Sequence, residues 1–130
     1  MKTHRGFTVI EIIIVVAILS FASILFFSQK SHVAAAARDE SRKTAINTMY
    51  HTLESVYYKE HSSYPRVISE KTLPSLNPDL LKDPSGISIG EGESNYRYEP
   101  TGCSNDTTCT GYTLRAILEK EDDFIKKSKN

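Results

Sequence analysis

Glu11 carries the strongest chemical implication in this chain. It is the only formal charge between Gly6 and Gln29, inside an apolar run that extends from Phe7 to Phe27. Glu11 lies near the start of that run; a carboxylate costs about 2.5–3.5 kcal/mol at the bilayer centre on insertion scales, so one kept within a membrane-spanning segment points to a use. A positive group on a neighbouring molecule would supply that use, because opposite charges attract strongly where water is absent.

Cys103 and Cys109 form a second candidate group, with five residues between them. Two thiols are too few for a structural zinc site, which takes four Cys or His ligands. A redox pair would need the closer Cys-X-X-Cys spacing. A short basic leader followed by an apolar span places the polar remainder in an oxidising exterior, where this pair reads as one disulfide.

The other reactive residue types show less pattern. His4, His32, His51 and His61 are scattered, with no i, i+4 metal pair. No Ser/His/Asp grouping suggests catalysis, so the chain is read as a non-enzyme with no cofactor. Glu119, Glu121, Asp122 and Asp123 could attract calcium, but they lack a glycine turn and read as a solvated charge run. Asn105-Asp-Thr107 fits a glycosylation triplet, a pattern that also arises by chance.

Composition bounds the whole. The 130 residues suit one small domain, and 16 basic side chains cancel 16 acidic ones, so nothing indicates nucleic acid. The balance hides a split: residues 7–27 are apolar, while residues 28–130 carry nearly every charge. So small a domain could not surround the apolar run, whereas a membrane or a subunit contact would accept it.

The elements that must position these groups follow from the spacing of glycine and proline. Neither occurs between Gly6 and Pro65. That absence predicts one continuous helix over about residues 7–63, roughly 85 Å long at 1.5 Å per residue. Its first half is apolar all round. Its second half, 28–63, is amphipathic, with Ile46, Met49, Tyr50, Leu53, Val56 and Tyr57 as the core stripe. Arg38, Asp39, Arg42, Lys43, Glu54 and Lys59 are read as lying mostly off that stripe and solvated.

Tyr64-Pro65 ends the helix. A proline-rich loop follows over 65–86, with a helical turn expected near Asn77–Leu81. A small antiparallel sheet is expected over 87–118, from strand signals at Ile87–Ile89, Asn95–Glu99 and Tyr112–Leu118. The last two form a hairpin across the cysteine loop. The charged tail 119–130 should fray, a second helix there being only weakly signalled. The hairpin, the cysteine loop and the 65–95 loop are expected to form the outer surface. The fold class is α+β.

The leader ending at Gly6, then Phe7-Thr-Val-Ile-Glu11 and the apolar helix, resembles the type IV pilins and pseudopilins, the class III signal peptide proteins. Tyr57-Tyr58-Lys-Glu-His-Ser-Ser-Tyr64-Pro65 is similar to their tyrosine-rich helix end. Lys82-Asp-Pro84 resembles the loop before their strands, and Gly111-Tyr-Thr-Leu with Leu118-Glu119 their final strand. The resemblance implies the pilin fold and a leader, 1–6, removed between Gly6 and Phe7 by a membrane prepilin peptidase, which then methylates the Phe7 amine. Residues 7–27 would be held in the membrane as a single-pass precursor and then pack in a filament core, with 28–130 as the extracytoplasmic head. Glu11 would pair with the Phe7 amine of a neighbouring subunit.

Implied partners are further copies, other pilins, and an assembly platform protein with its ATPase. The implied destination is a surface pilus serving adhesion, twitching motility or DNA uptake, or a secretion or competence pseudopilus. This chain departs from many members in having no glycine or proline within the apolar helix; Ser20, Ser23 and Ser28 are its only weak points. Two plainer readings compete. A secretory signal cut near Val33-Ala-Ala-Ala-Ala37 has too long an apolar run. A simple signal anchor leaves Gly6 and Glu11 without purpose.

Overall fold

A computed structural model describes residues 6–104 and 107–130. Leader residues 1–5, His4 among them, and Asn105 with Asp106 lie outside the described residues. The chain divides into two compact units, Met1–Ala35 and Ala36–Asn130.

Helix α1 runs Val9–Thr52, continues through a π-helical turn at Leu53–Tyr57, and closes with α2 at Tyr58–His61. The helical stretch thus matches the glycine- and proline-free run, apart from Phe7 and Thr8 ahead of it and Ser62 to Tyr64 beyond it. Ser62 terminates it in the left-handed region, φ 51°, donating its N–H to the Tyr58 carbonyl. Tyr64–Pro65 then forms a two-residue strand, β1.

The sheet is antiparallel. Strand β3, Thr108–Ala116, pairs with β2, Tyr96–Cys103, on one side, and with β1 and β4, Phe124–Lys127, on the other. Tyr112, Leu114 and Ala116 alternate inward along β3 and meet Ala45, Ile46, Met49 and Leu53 of the helix. Leu114, Ile46, Met49 and Leu53 each contribute about 1.5–3 kcal/mol by leaving water. The structure is therefore α+β: a long N-terminal helix whose later turns pack against a small antiparallel sheet.

Four differences from the sequence expectations have physical causes. First, the tail 119–130 holds β4 rather than a fray, because β3 offers it an unpaired edge and the helix offers it charged partners. Second, Ile87–Ile89 is not a ladder strand; it makes one bridge, Lys82 with Ser88, inside a turn-rich segment. That segment is organised by Asp83, which accepts from the N–H groups of Ser85, Ile87 and Asn95. Arg97 fastens it from the other side by donating to the carbonyls of Gly92 and Ser94.

Third, the 65–86 loop is not only surface: Ile68, Leu73, Leu76 and Leu81 fill the core. It does contain the expected turn, a 3-10 helix at Pro78–Leu81 capped by the Asn77 side chain. Fourth, Val56 is exposed rather than part of the stripe. The π-helical turn widens the helix and moves Val56 out of phase with Leu53.

Cys103 and Cys109 are bonded and stand directly opposite each other on β2 and β3. The adjacent Gly102 has φ 62°, and a Cβ there would lie 1.9 Å from the Thr110 hydroxyl, so only glycine fits. Replacing both cysteines with serine should lower head stability by about 2 kcal/mol on the loop-entropy scale. All seven tyrosines lie in the second unit and the chain has no tryptophan, so the tyrosine band of the near-ultraviolet circular dichroism follows the head. Its melting should move down by about 10 °C; an unmoved transition would show that the clamp is without consequence.

Candidate assembly site and the head that carries it

In the first unit the helix starts where Thr8 can cap it. The Thr8 hydroxyl accepts from the Glu11 N–H at 3.3 Å, and the Thr8 carbonyl accepts from Glu11 and Ile12. Thr8-x-x-Glu11 is the spacing of a capping box. Glu11 therefore sits in the first turn, where the helix dipole favours negative charge.

The side chains from Phe7 to Phe27 are exposed on every side, Phe7 at 77% and Phe27 at 70%. Such a surface is stable only in lipid or against other apolar surfaces. The hydroxyls within it are satisfied internally: Ser20 bonds to the Val16 carbonyl and Ser23 to the Leu19 carbonyl, both at 2.8 Å. Among the described residues one helix is long and apolar enough to cross a membrane, beginning at Val9.

Gly6 precedes the helix, and a Cβ placed there would meet nothing within 4 Å. The fold of this chain does not demand glycine at this position.

In the second unit the sequence reading missed a buried charge cluster. Asp39 and Arg42 are 2% and 3% exposed, not solvated. The Asp39 carboxylate accepts the N–H groups of Glu119 and Lys120 at 2.9–3.0 Å and the Arg42 guanidinium at 2.7 Å. Arg42 also donates to Glu119 at 2.9 Å, Arg38 holds Glu119 with two bonds, and Lys43 reaches Glu121 at 2.6 Å. Burial pushes the Asp39 carboxyl up, but the two backbone N–H groups and Arg42 outweigh it, leaving it below the ordinary carboxylate range. Arg38, then Arg42, hold the Glu119 carboxyl at about 2.

A signal for this cluster was present. Counting back from Ile46 by four and then three gives Arg42 and Asp39, the same face as the stripe. Glu54 was also read as solvated, yet it accepts from the Tyr112 hydroxyl at 2.8 Å and the Tyr64 hydroxyl at 3.1 Å. Glu119 and Glu121, weighed as calcium ligands, are instead neutralised by side chains of the helix. Among the described residues no acidic, His or Cys group has the arrangement of a metal site.

A helix wholly exposed and apolar in its first turns, then packed under a small antiparallel sheet in its later ones, is the α+β arrangement of the type IV pilin fold. Residues 1–27 match the family described as the prokaryotic N-terminal methylation motif, the class III signal of type IV pilins and pseudopilins. That motif implies processing by a prepilin peptidase and assembly with other pilins. With the apolar helix it fits a membrane-anchored precursor. The match ends at Phe27, and no curated protein and no solved structure matches the chain.

Proposed function

We propose that the chain is a structural, non-catalytic subunit of a type IV pilus. It is cut between Gly6 and Phe7, methylated on the Phe7 amine and polymerised through residues 7–27, so that it passes from a single-pass membrane precursor to a surface filament. The observation that carries this reading is the exposed apolar helix with one carboxylate in its first turn. In the filament, burial against neighbouring copies replaces burial in lipid, and Glu11 paired with a neighbour's Phe7 amine fixes the axial register.

A platform protein and its ATPase would drive assembly, and the filament would serve adhesion, twitching motility or DNA uptake. The disulfide-clamped hairpin, with Cys103 exposed, favours an external pilus over a pseudopilus confined to a secretion or competence machine.

The intact mass of the protein from its own cells tests processing. A chain beginning at Phe7, heavier by one methyl group of about 14 Da and lighter by the two hydrogens of a disulfide, is expected. A chain beginning after Ala35 or Ala37 would make it a secreted domain, and one retaining Met1 a plain anchor. Immunogold electron microscopy then separates the two filament readings: labelled extracellular filaments support a pilus, and their absence from processed, assembled protein supports a pseudopilus.

A further inference from the structure

Residues 117–130 start where the Ile117 N–H donates to the Asn95 carbonyl at 2.9 Å, and beyond that point they are held mainly by charged and backbone contacts. At their base, Glu119, Lys120 and Glu121 meet Arg38, Asp39, Arg42 and Lys43 of the helix through the charged contacts described above. Along their length, Phe124–Lys127 hydrogen-bonds to the outer edge of β3, opposite Thr113–Ala116. Beyond β4, Ser128 exchanges bonds with Tyr112, and the Lys129 N–H donates to Glu54 at 3.3 Å. Lys126 lies 5.5 Å from the ring centres of Tyr50 and Phe124.

Apolar attachment is slight by comparison. Leu118 and Phe124 are the partly buried hydrophobic residues in this stretch; Ile117 and Ile125 are 38% and 46% exposed. The β2–β3 pair, by contrast, buries Tyr96, Tyr112, Leu114 and Ala116 and is closed by the disulfide. Segments with few buried apolar contacts open locally, ahead of global unfolding.

We propose that residues 117–130 form a strap, latched mainly by charge, that opens and closes as a unit while the helix, β2 and β3 stay folded. Asp39 is the catch of this latch: its carboxylate holds two backbone N–H groups at the point where the strap leaves β3. Opening exposes the hydrogen-bonding groups of β3 between Tyr112 and Ala116, turning a paired strand into a free edge.

Hydrogen–deuterium exchange of the full chain in detergent micelles tests this at fixed pH and temperature. The amides of Phe124–Lys127 should exchange at least about tenfold faster than those of β2 and of helix residues 45–53. Asp39→Asn should speed the strap by about a further tenfold, and the strap should still exchange ahead of β2 and the helix, with the weaker denaturant dependence of a local opening. If that variant does not fold, Glu121→Gln removes an exposed partner of Lys43 and should speed the strap by about threefold, the strap again exchanging ahead of β2. Strap amides that exchange in step with β2 in the unaltered protein would overturn the proposal. So would strap amides whose exchange depends on denaturant as steeply as that of β2.

Discussion

Filament yield should fall at least about tenfold when Glu11 is replaced by alanine, while insertion and cleavage after Gly6 continue. Insertion should not suffer, because removing a carboxylate from an apolar span lowers the cost of entering lipid. Cleavage should continue because the Gly6–Phe7 junction is untouched. The damage falls on assembly. Cleavage would give Phe7 a positive amine, and the next basic side chain along the chain is Lys30. Without Glu11 that amine would enter the filament core unpaired, at a cost of several kcal/mol per subunit; about 1.4 kcal/mol is already tenfold in an equilibrium. Sheared-filament yield, compared with the processed membrane pool, is the measurement. Normal filaments from the Glu11→Ala chain would remove the charge-pair argument, and Glu11→Asp should fall between the two.

The second large effect is expected in the head. Asp39→Ala should destabilise it by about 3 kcal/mol, because the change strips Arg42 of its buried partner and leaves two N–H groups at Glu119 and Lys120 unanswered. For a domain of this size that lowers the melting temperature by roughly 15 °C, followed by the tyrosine signal of the full chain in detergent. A loss under about 1 kcal/mol would mean that water replaces the carboxylate freely.

The same cluster sets the behaviour in acid. The folded-state carboxyls of Asp39, Asp83 and Glu119 all lie below their ordinary values. Groups shifted down bind fewer protons when folded, so their stabilisation is complete above the ordinary carboxylate range. That stabilisation is lost as pH falls below that range, for Glu119 from about 4.5 towards about 2. The unaltered head should hold its melting temperature down to that window and then drop, and Asp39→Ala should flatten the drop.

What was legible in the sequence, and what was not, divides along physical lines. The helix could be read because its signal is an absence, of glycine and proline, sustained from Phe7 to Tyr64. The cysteine-closed hairpin could be read because both strands alternate. Local rules govern both features. Asp39 and Arg42 escaped because a charged residue is normally assigned to water, and the partners that permit their burial lie across the fold in Glu119 and Lys120. Strand β4 escaped for the same reason: Phe124-Ile-Lys-Lys127 has little strand character of its own and is recruited by an edge of β3. The π-helical turn also left no local mark, and it moved Val56 out of the stripe while Glu54 came within reach of Tyr64 and Tyr112. In the N-terminal segment, by contrast, the motif over residues 1–27 could be read because it depends on order along the chain rather than on the head's packing.

The Asp39–Glu119 bond joins residues 80 positions apart. A ribosome makes the chain from its N-terminus, so Asp39 emerges long before the two N–H groups that will hold it. Helix turns and the β2–β3 hairpin can form on the way, since their contacts are near in sequence and loop closure is quick. The latch cannot. Until Lys120 arrives, Asp39 and Arg42 remain hydrated and the β3 edge stays bare. Closure of the head is thereby tied to synthesis of residues 119–127: a chain stopped short of them would keep its hairpin yet present an open edge on β3.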